Sequence, residues 1–171
     1  MKIPGSCIKT GFSQVFWPGR FEVMRSSPAF IIDSAHNQDS ALKLRLTIDD
    51  YLPGQPVILI FGASVDKDIH GMFAALLPRV SRVIATESLH PRALSADSIV
   101  DLAFQFGCQA EAVSPVEEAV AKALEYAGNE AAIVAAGSIF VAAAVRDVWC
   151  SNYSKFFDYN GCKELSVDNN I

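Results

Sequence analysis

This sequence predicts a three-layer α/β domain: a mainly parallel sheet, helices on both faces, and an antiparallel strand at one edge. Three observations carry the prediction. Short β-branched runs of the fully buried type, Val57–Phe61, Arg82–Thr86 and Ala132–Ala136, recur along the chain. Helical patterns alternate with them, which is the order that builds parallel sheets through right-handed crossovers. Two strand candidates, Phe21–Arg25 and Ala29–Ile32, flank the turn Ser26-Ser27-Pro28. Proline cannot donate to a ladder, so Pro28 puts the first of this pair at a sheet edge.

Taken in order, residues 1–20 hold scattered apolar side chains and two Pro-Gly pairs, Pro4-Gly5 and Pro18-Gly19. They read as an entry segment or linker over 1–16, leading into an α/β domain over 17–150. The first helix is expected over 38–51, where Ala41, Leu42, Leu44, Ile48, Tyr51 and Leu52 share a broad face. Further helices are expected over 68–78, 95–106, 115–127 and 138–149, with a weaker strand at Gln109–Val113. Ser114-Pro115-Val116-Glu117 combines a Ser cap, Pro at the first helical position and Glu at the capping-box position. It is a stronger helix start than Ser95–Ser98. In the last helix, Ala142, Ala143 and Ala144 form a small-residue face suited to close packing on a sheet. The stretch 151–171 is polar and Asn-rich and is expected to fray or pack loosely.

Composition narrows the function. Apolar residues make up 51% of the chain and charged residues 19%, which suits a buried parallel sheet. The net charge is −5, from 14 basic and 19 acidic residues, and no basic stripe with interleaved aromatics occurs. A nucleic-acid surface is therefore not expected, although an anionic ligand is still compatible through helix N-termini and single arginines. Cys7, Cys108, Cys150 and Cys162 form no CxxC pair and have no histidine at ligand spacing. Reduced thiols and no metal site are the simple reading. The longest apolar stretch, Ile139–Val145, falls far short of the roughly 20 residues of a membrane helix. No signal peptide is visible at the start, so a cytoplasmic protein without membrane contact is expected. GxxxxGK(S/T), GxGxxG after a strand, GxSxG and HExxH are all absent.

In open α/β sheets, ligands gather at the carboxyl ends of the strands. The first such end reads Ile31-Ile32-Asp33-Ser34-Ala35-His36-Asn37. Asp33 can accept two ribose hydroxyls or orient an imidazole, and His36 reaches the same crevice if 34–37 turns. Purely local backbone bonding by Asp33 and Asn37, with His36 exposed, is an equal alternative, since caps are common here. The second end, Phe61-Gly62-Ala63-Ser64-Val65-Asp66-Lys67-Asp68, offers Gly62 for close approach and Lys67 for a carboxylate or phosphate. A solvated loop is the competing reading, and Asp68 caps the next helix in either case. At the last end, Gly137 and Ser138 permit close approach and either cap a helix or donate to an incoming oxygen. Trp17-Pro18-Gly19-Arg20 aims a guanidinium at a phosphate, unless Arg20 pairs with Glu22. His90 and Arg92 follow the middle strand, where a solvated loop is favoured over a crevice lining.

On these residues the sequence resembles the folylpolyglutamate synthase and dihydrofolate synthase family of Mur-type ligases. The matching pieces are Trp17-Pro-Gly-Arg20-Phe-Glu22, Asp33-Ser-Ala-His36-Asn37, Phe61-Gly62 with Asp66-Lys67-Asp68, Pro91-Arg92-Ala93, and Gly137-Ser138. Each is weak alone, and their ordered combination over about residues 15–149 is specific. Ser34 stands where the family commonly has glycine, a departure that alters the turn without removing Asp33 or His36.

The resemblance implies a Rossmann-like Mur ligase C-terminal domain. It also implies an ATP-dependent ligase of folate biosynthesis and one-carbon metabolism, which phosphorylates a folate-type carboxylate and lets the glutamate amine attack the acyl phosphate. On this basis Arg20, Asp33 and Asn37 are assigned to the nucleotide, Lys67 and Ser138 to glutamate, and His36 and Lys67 to the catalytic set. ATP and magnesium are the implied cofactors, with the P-loop, metal ligands and most of the folate site in an N-terminal domain or split subunit. That machinery is not found before residue 15, so the chain is expected to be inactive alone. A noncatalytic nucleotide- or carboxylate-binding module and a structural partner-binding domain are the alternatives.

Overall fold

The computed structural model describes residues 3–13 and 15–153. The element order is α1 (Gly5–Ser13), β1 (Glu22–Ser26), β2 (Ala29–Ile32), α2 (Gln38–Tyr51), β3 (Val57–Phe61) and α3 (Ile69–Leu76). It continues with β4 (Arg82–Ala85), α4 (Ala96–Gln105), β5 (Gln109–Ala112), α5 (Val116–Ala127), β6 (Ala132–Ala136) and α6 (Ile139–Asn152). Six strands form one sheet in the order β1-β2-β6-β3-β4-β5. All neighbours are parallel except β1 and β2, so the edge strand implied by Pro28 is present and antiparallel.

The buried strands sort their side chains by the two-residue period of a pleat. Val57, Leu59 and Phe61 of β3 point into one core with Ala41, Leu44 and Ile48 of α2 and Met72 and Phe73 of α3. Ile58 and Ile60 point into the opposite core, with Ala119, Val120 and Ala123 of α5 and Val141, Val145 and Trp149 of α6. Both faces are thereby covered, which explains runs that are apolar throughout rather than alternating. No helix among the described residues is long and apolar enough to cross a membrane.

Several details depart from expectation. Residues Gly5–Ser13 form a helix inside the expected entry segment, and the described side chains from Ile3 to Gly11 are exposed. The face of α2 is narrower than its sequence implied: Ala41, Leu44 and Ile48 are buried, while Leu42 and Tyr51 are exposed. Pro115, in extended conformation, is the residue before α5, so Ser114 lies one position too early to cap it. Glu117 and Glu118 still place negative charge at the positive end of that helix. Ser95, the start ranked lower, is the genuine cap, its side chain accepting from the Ser98 amide. Helix α6 runs on to Asn152, into the stretch read as tail, and residues 154–171 lie outside the described part.

Cys7 and Cys108 carry free thiols, and burial pushes the Cys108 thiol up from its ordinary value, opposed by the nearby Arg82 charge. Cys150 is disulfide-bonded, which corrects the expectation of reduced thiols throughout. The spacing rule tests only for local pairs, whereas a disulfide requires proximity in space.

Candidate functional site

The carboxyl ends of β2, β3, β4 and β6 converge on one crevice. Arg20, His36, Lys67 and Ser138 line a cleft of about 170 Å³ there, together with Ser34, Ser64 and Arg92. Four side chains singled out in sequence thus meet, although 118 positions separate the first from the last. Asp33 and Asn37 are not among the lining residues.

Asp33 instead shapes the crevice from behind. Its Oδ2 accepts from the Phe21 amide at 2.8 Å and its Oδ1 from the Ala35 amide at 2.8 Å. The Ser34 amide donates to the Gly19 carbonyl at 2.8 Å, so the Arg20 turn is clipped to the end of β2 at two points. Phe21 has φ of 43°, an outlier for a bulky residue, and its ring packs edge-on against Tyr51. Asp33→Ala removes both acceptors and is expected to cost about 1–3 kcal/mol of stability, measurable by urea unfolding.

Asn37 caps α2, its Oδ1 accepting from the Ser40 amide at 2.8 Å, while Ser40 Oγ accepts from the Asn37 amide at 3.1 Å. That reciprocal box takes up the Asn37 side chain locally. His36 Nδ1 lies 2.9 Å from the Ser34 carbonyl. A carbonyl only accepts, so Nδ1 carries the hydrogen, and in the neutral ring Nε2 is then the acceptor.

Lys67 and Arg92 come from different loops that are joined by backbone bonding. The Val65 amide donates to the Arg92 carbonyl at 2.9 Å, the Leu94 amide to the Ala63 carbonyl at 2.8 Å, and Ser64 bridges Ala93. Asp66 sits between the two cations, 3.2 Å from Lys67 Nζ and 3.7 Å from Arg92. The Lys67 hydrogen bond, aided by a backbone bond and the Lys67 and Arg92 charges, holds the Asp66 carboxyl below the usual range. A depressed pKa means that Asp66 stays ionised to lower pH than a free aspartate, and the cluster loosens only on further acidification. Lys67→Met is expected to raise the Asp66 midpoint in a carboxyl NMR titration.

Ser138 is the N-cap of α6, its Oγ accepting from the Val141 amide at 3.1 Å. The hydroxyl hydrogen remains available to a ligand oxygen, and the positive end of a helix of 14 residues faces the same cleft. Gly137 has φ of 114°, and a Cβ there would run into the Gly62 carbonyl, whereas a Cβ on Gly62 would run into the Thr86 carbonyl beyond β4 and into Val141 of α6. His90 stacks on Phe140, which lines the cleft, with ring centroids 4.1 Å apart.

A second cleft of about 260 Å³ adjoins the first, since Arg20, Ser34 and Ile139 line both. Trp17, Pro18, Ala142 and Ala143 make its walls apolar. The reading of Arg20 as an ion-pair partner of Glu22 is overturned here. Glu22 and Arg146 are both buried and pair with each other, and no carboxylate among the described residues is within ion-pair distance of Arg20. Sequence reading missed Ser64 and Arg146, and set Arg92 aside as solvated. Arg92 is indeed exposed, and it also lines the cleft, its loop being bonded to the one that carries Lys67.

Residues 19–139 match the family described as Mur ligase, glutamate ligase domain. Among curated relatives, a probable bifunctional folylpolyglutamate synthase/dihydropteroate synthase of Halobacterium salinarum is 33% identical over 154 residues. That match covers 90% of this chain and 19% of the relative. Folylpolyglutamate synthase of Mycobacterium tuberculosis, solved with ADP and AMPPCP, superimposes with a TM-score of 0.79 at 29% identity. The match covers 86% of this chain and 36% of that one. Escherichia coli FolC in complex with ADP gives a TM-score of 0.80 at 26% identity, covering 90% of this chain and 36% of that one. The chain therefore spans about a fifth of that curated relative and about a third of those solved chains.

Proposed function

The chain belongs to the Mur ligase glutamate ligase domain family, homologous to the C-terminal region of folylpolyglutamate and dihydrofolate synthases, and from this premise we propose that it is the closing domain of an ATP-dependent folate–glutamate ligase. The observation that carries this reading is the convergence of Arg20, His36, Lys67 and Ser138 on one cleft. Three cations, counting Arg92, face a single space in a chain of net charge −5. Such a cleft suits a ligand carrying several negative charges, as a phosphorylated acid beside an amino dicarboxylate would be.

In this reading Arg20 holds phosphate oxygens, and Asp33 offers its remaining lone pairs to the nucleoside side. Asn37 contributes by fixing the start of α2. Lys67 and the Ser138 hydroxyl bind a glutamate carboxylate at the positive end of α6. His36 positions the amine, its Nε2 facing the nucleophile as a hydrogen-bond acceptor. When the amine attacks the acyl phosphate, the C–N bond forms, the C–O bond to phosphate breaks, and phosphate leaves with that electron pair. The domain contributes orientation and charge stabilisation to this step.

ATP with magnesium is the implied cofactor pair. Among the described residues no group of three or more His, Cys, Asp or Glu converges to hold a metal. As the family resemblance implies, the magnesium ligands and phosphate nest are assigned to a P-loop partner, as an N-terminal domain or separate subunit, which would also hold most of the folate-type substrate. Mixing the chain with such a domain should give glutamate-dependent ADP release, and neither part should turn over alone. Full turnover by the pure 171-residue chain would overturn the division of labour. Absence of turnover in every mixture, with saturable nucleotide binding retained, would favour a noncatalytic binding module.

A further inference from the structure

Six polar or charged residues are buried among the described residues, and three of them, Ser34, Ser64 and Ser138, line the same cleft as Lys67 and Arg92. The Ser138 hydroxyl is engaged in capping α6. Ser34 and Ser64 are only 3% and 5% exposed, yet neither hydroxyl has a hydrogen-bond partner among the described residues. Nor are they sealed from solvent, as the unpartnered Thr86 hydroxyl is. A nearly buried hydroxyl without a protein partner is costly unless water or a ligand satisfies it. Of the two adjoining clefts, Ser34 borders both and Ser64 only the one with the cations, so the unsealed part of Ser64 faces that space.

The backbone fixes where Ser64 stands. Its carbonyl accepts from the Lys67 amide at 3.1 Å, so it opens the turn that carries Lys67, and its bridge to Ala93 ties it to the loop of Arg92. One hydroxyl and two cations therefore come from a single bonded pair of loops, and all three line the cleft. The cations attract an anion from any direction, whereas an O–H donates along one line and forms its shortest bonds to a charged oxygen. At about 170 Å³ the cleft is smaller than the ~300–1,000 Å³ of pockets for drug-sized ligands, so it takes a small ligand or one end of a larger one. We propose that Ser64 is a further binding residue of this cleft, its hydroxyl donating to an oxyanion, a carboxylate of the ligand that Lys67 holds. That the carboxylate belongs to glutamate rests on the proposed function; the donor role toward an oxyanion does not. The competing reading is a serine kept for the turn, and the two differ in what removal of the hydroxyl does.

The ligand-free 171-residue chain, isotope-labelled, is titrated with L-glutamate and separately with sodium sulfate, and the Ser64, Lys67 and Ser138 amide shifts are followed by NMR. Saturable shifts at all three amides are expected with glutamate. Ser64→Ala should raise the dissociation constant about tenfold, the low end for a hydrogen bond to a charged group. Its ligand-free urea midpoint should be unaltered or higher, because no protein bond is lost. Equal affinity in folded Ser64→Ala overturns the proposal, and so does a Ser64 amide that neither probe shifts. A lowered midpoint, or a variant that does not fold, overturns it too, since either marks a hydroxyl kept for the structure. The two probes separate this inference from the wider reading. Sulfate binding that weakens in Ser64→Ala, with no glutamate binding, supports the donor role and counts against the glutamate assignment. Glutamate binding that is equally tight in Ser64→Ala keeps the assignment and removes Ser64 from it.

Discussion

Glu22→Ala is expected to lower the unfolding free energy by about 3–5 kcal/mol, because it leaves a buried guanidinium without its counter-charge. The same change strips the Gly19 amide of its acceptor at 2.7 Å, so a second buried group loses its partner. For a chain of this size each kcal/mol corresponds to about 2–4 °C in Tm. Thermal unfolding followed by circular dichroism should therefore shift by roughly 6–20 °C. Glu22→Gln should fall between, since the amide oxygen can still accept from Gly19 while the charge is lost. A shift below about 1 kcal/mol for Glu22→Ala would mean that water reaches Arg146 and that the pair is effectively a surface one.

Arg20→Ala should have the opposite profile, with little effect on folding and a large one on turnover. The side chain is exposed and unpaired among the described residues, so its loss stays within the usual surface range of about 0.5 kcal/mol. If Arg20 holds phosphate oxygens as charge redistributes, its removal should lower turnover by about 10²–10³-fold in the ligase completed with its P-loop partner. Lysine at this position should recover only part, since it supplies a point charge without the planar fork. Glutamate-dependent ADP release measures both variants. Retention of full rate by Arg20→Ala would move the phosphate contact elsewhere in the cleft.

Much of the frame was legible because it depends on short-range signals. The buried strands announced themselves by uninterrupted β-branched runs, and Pro28 located the edge. Asn37, Asp68 and Ser138 declared their helices because a cap acts three residues away. His36, Lys67 and Ser138 were found at strand ends, where the fold rule places ligands, and Arg20 in the Pro-Gly turn before β1. What sequence could not show is anything set by contact between distant segments. The Glu22–Arg146 pair spans 124 positions, and nothing near either residue distinguishes that pairing from Glu22 with Arg20. Arg92 is exposed as read, yet lines the cleft through the pairing of two loops, and the Asp33 carboxylate accepts two backbone bonds outside the cleft lining. Helix α1 shows the converse limit, a local structure without a buried face to predict it.

The bridge between Ser64 and Ala93 carries a consequence for recognition. Two loops that leave different strands move as one body once the Ala63–Val65 and Arg92–Leu94 backbones are bonded. Lys67 and Arg92 then share most of their backbone freedom before any ligand arrives, and a ligand that spans them has less disorder to remove. The folding of the domain has already met that part of the entropic cost, so the two side chains start from ordered backbones.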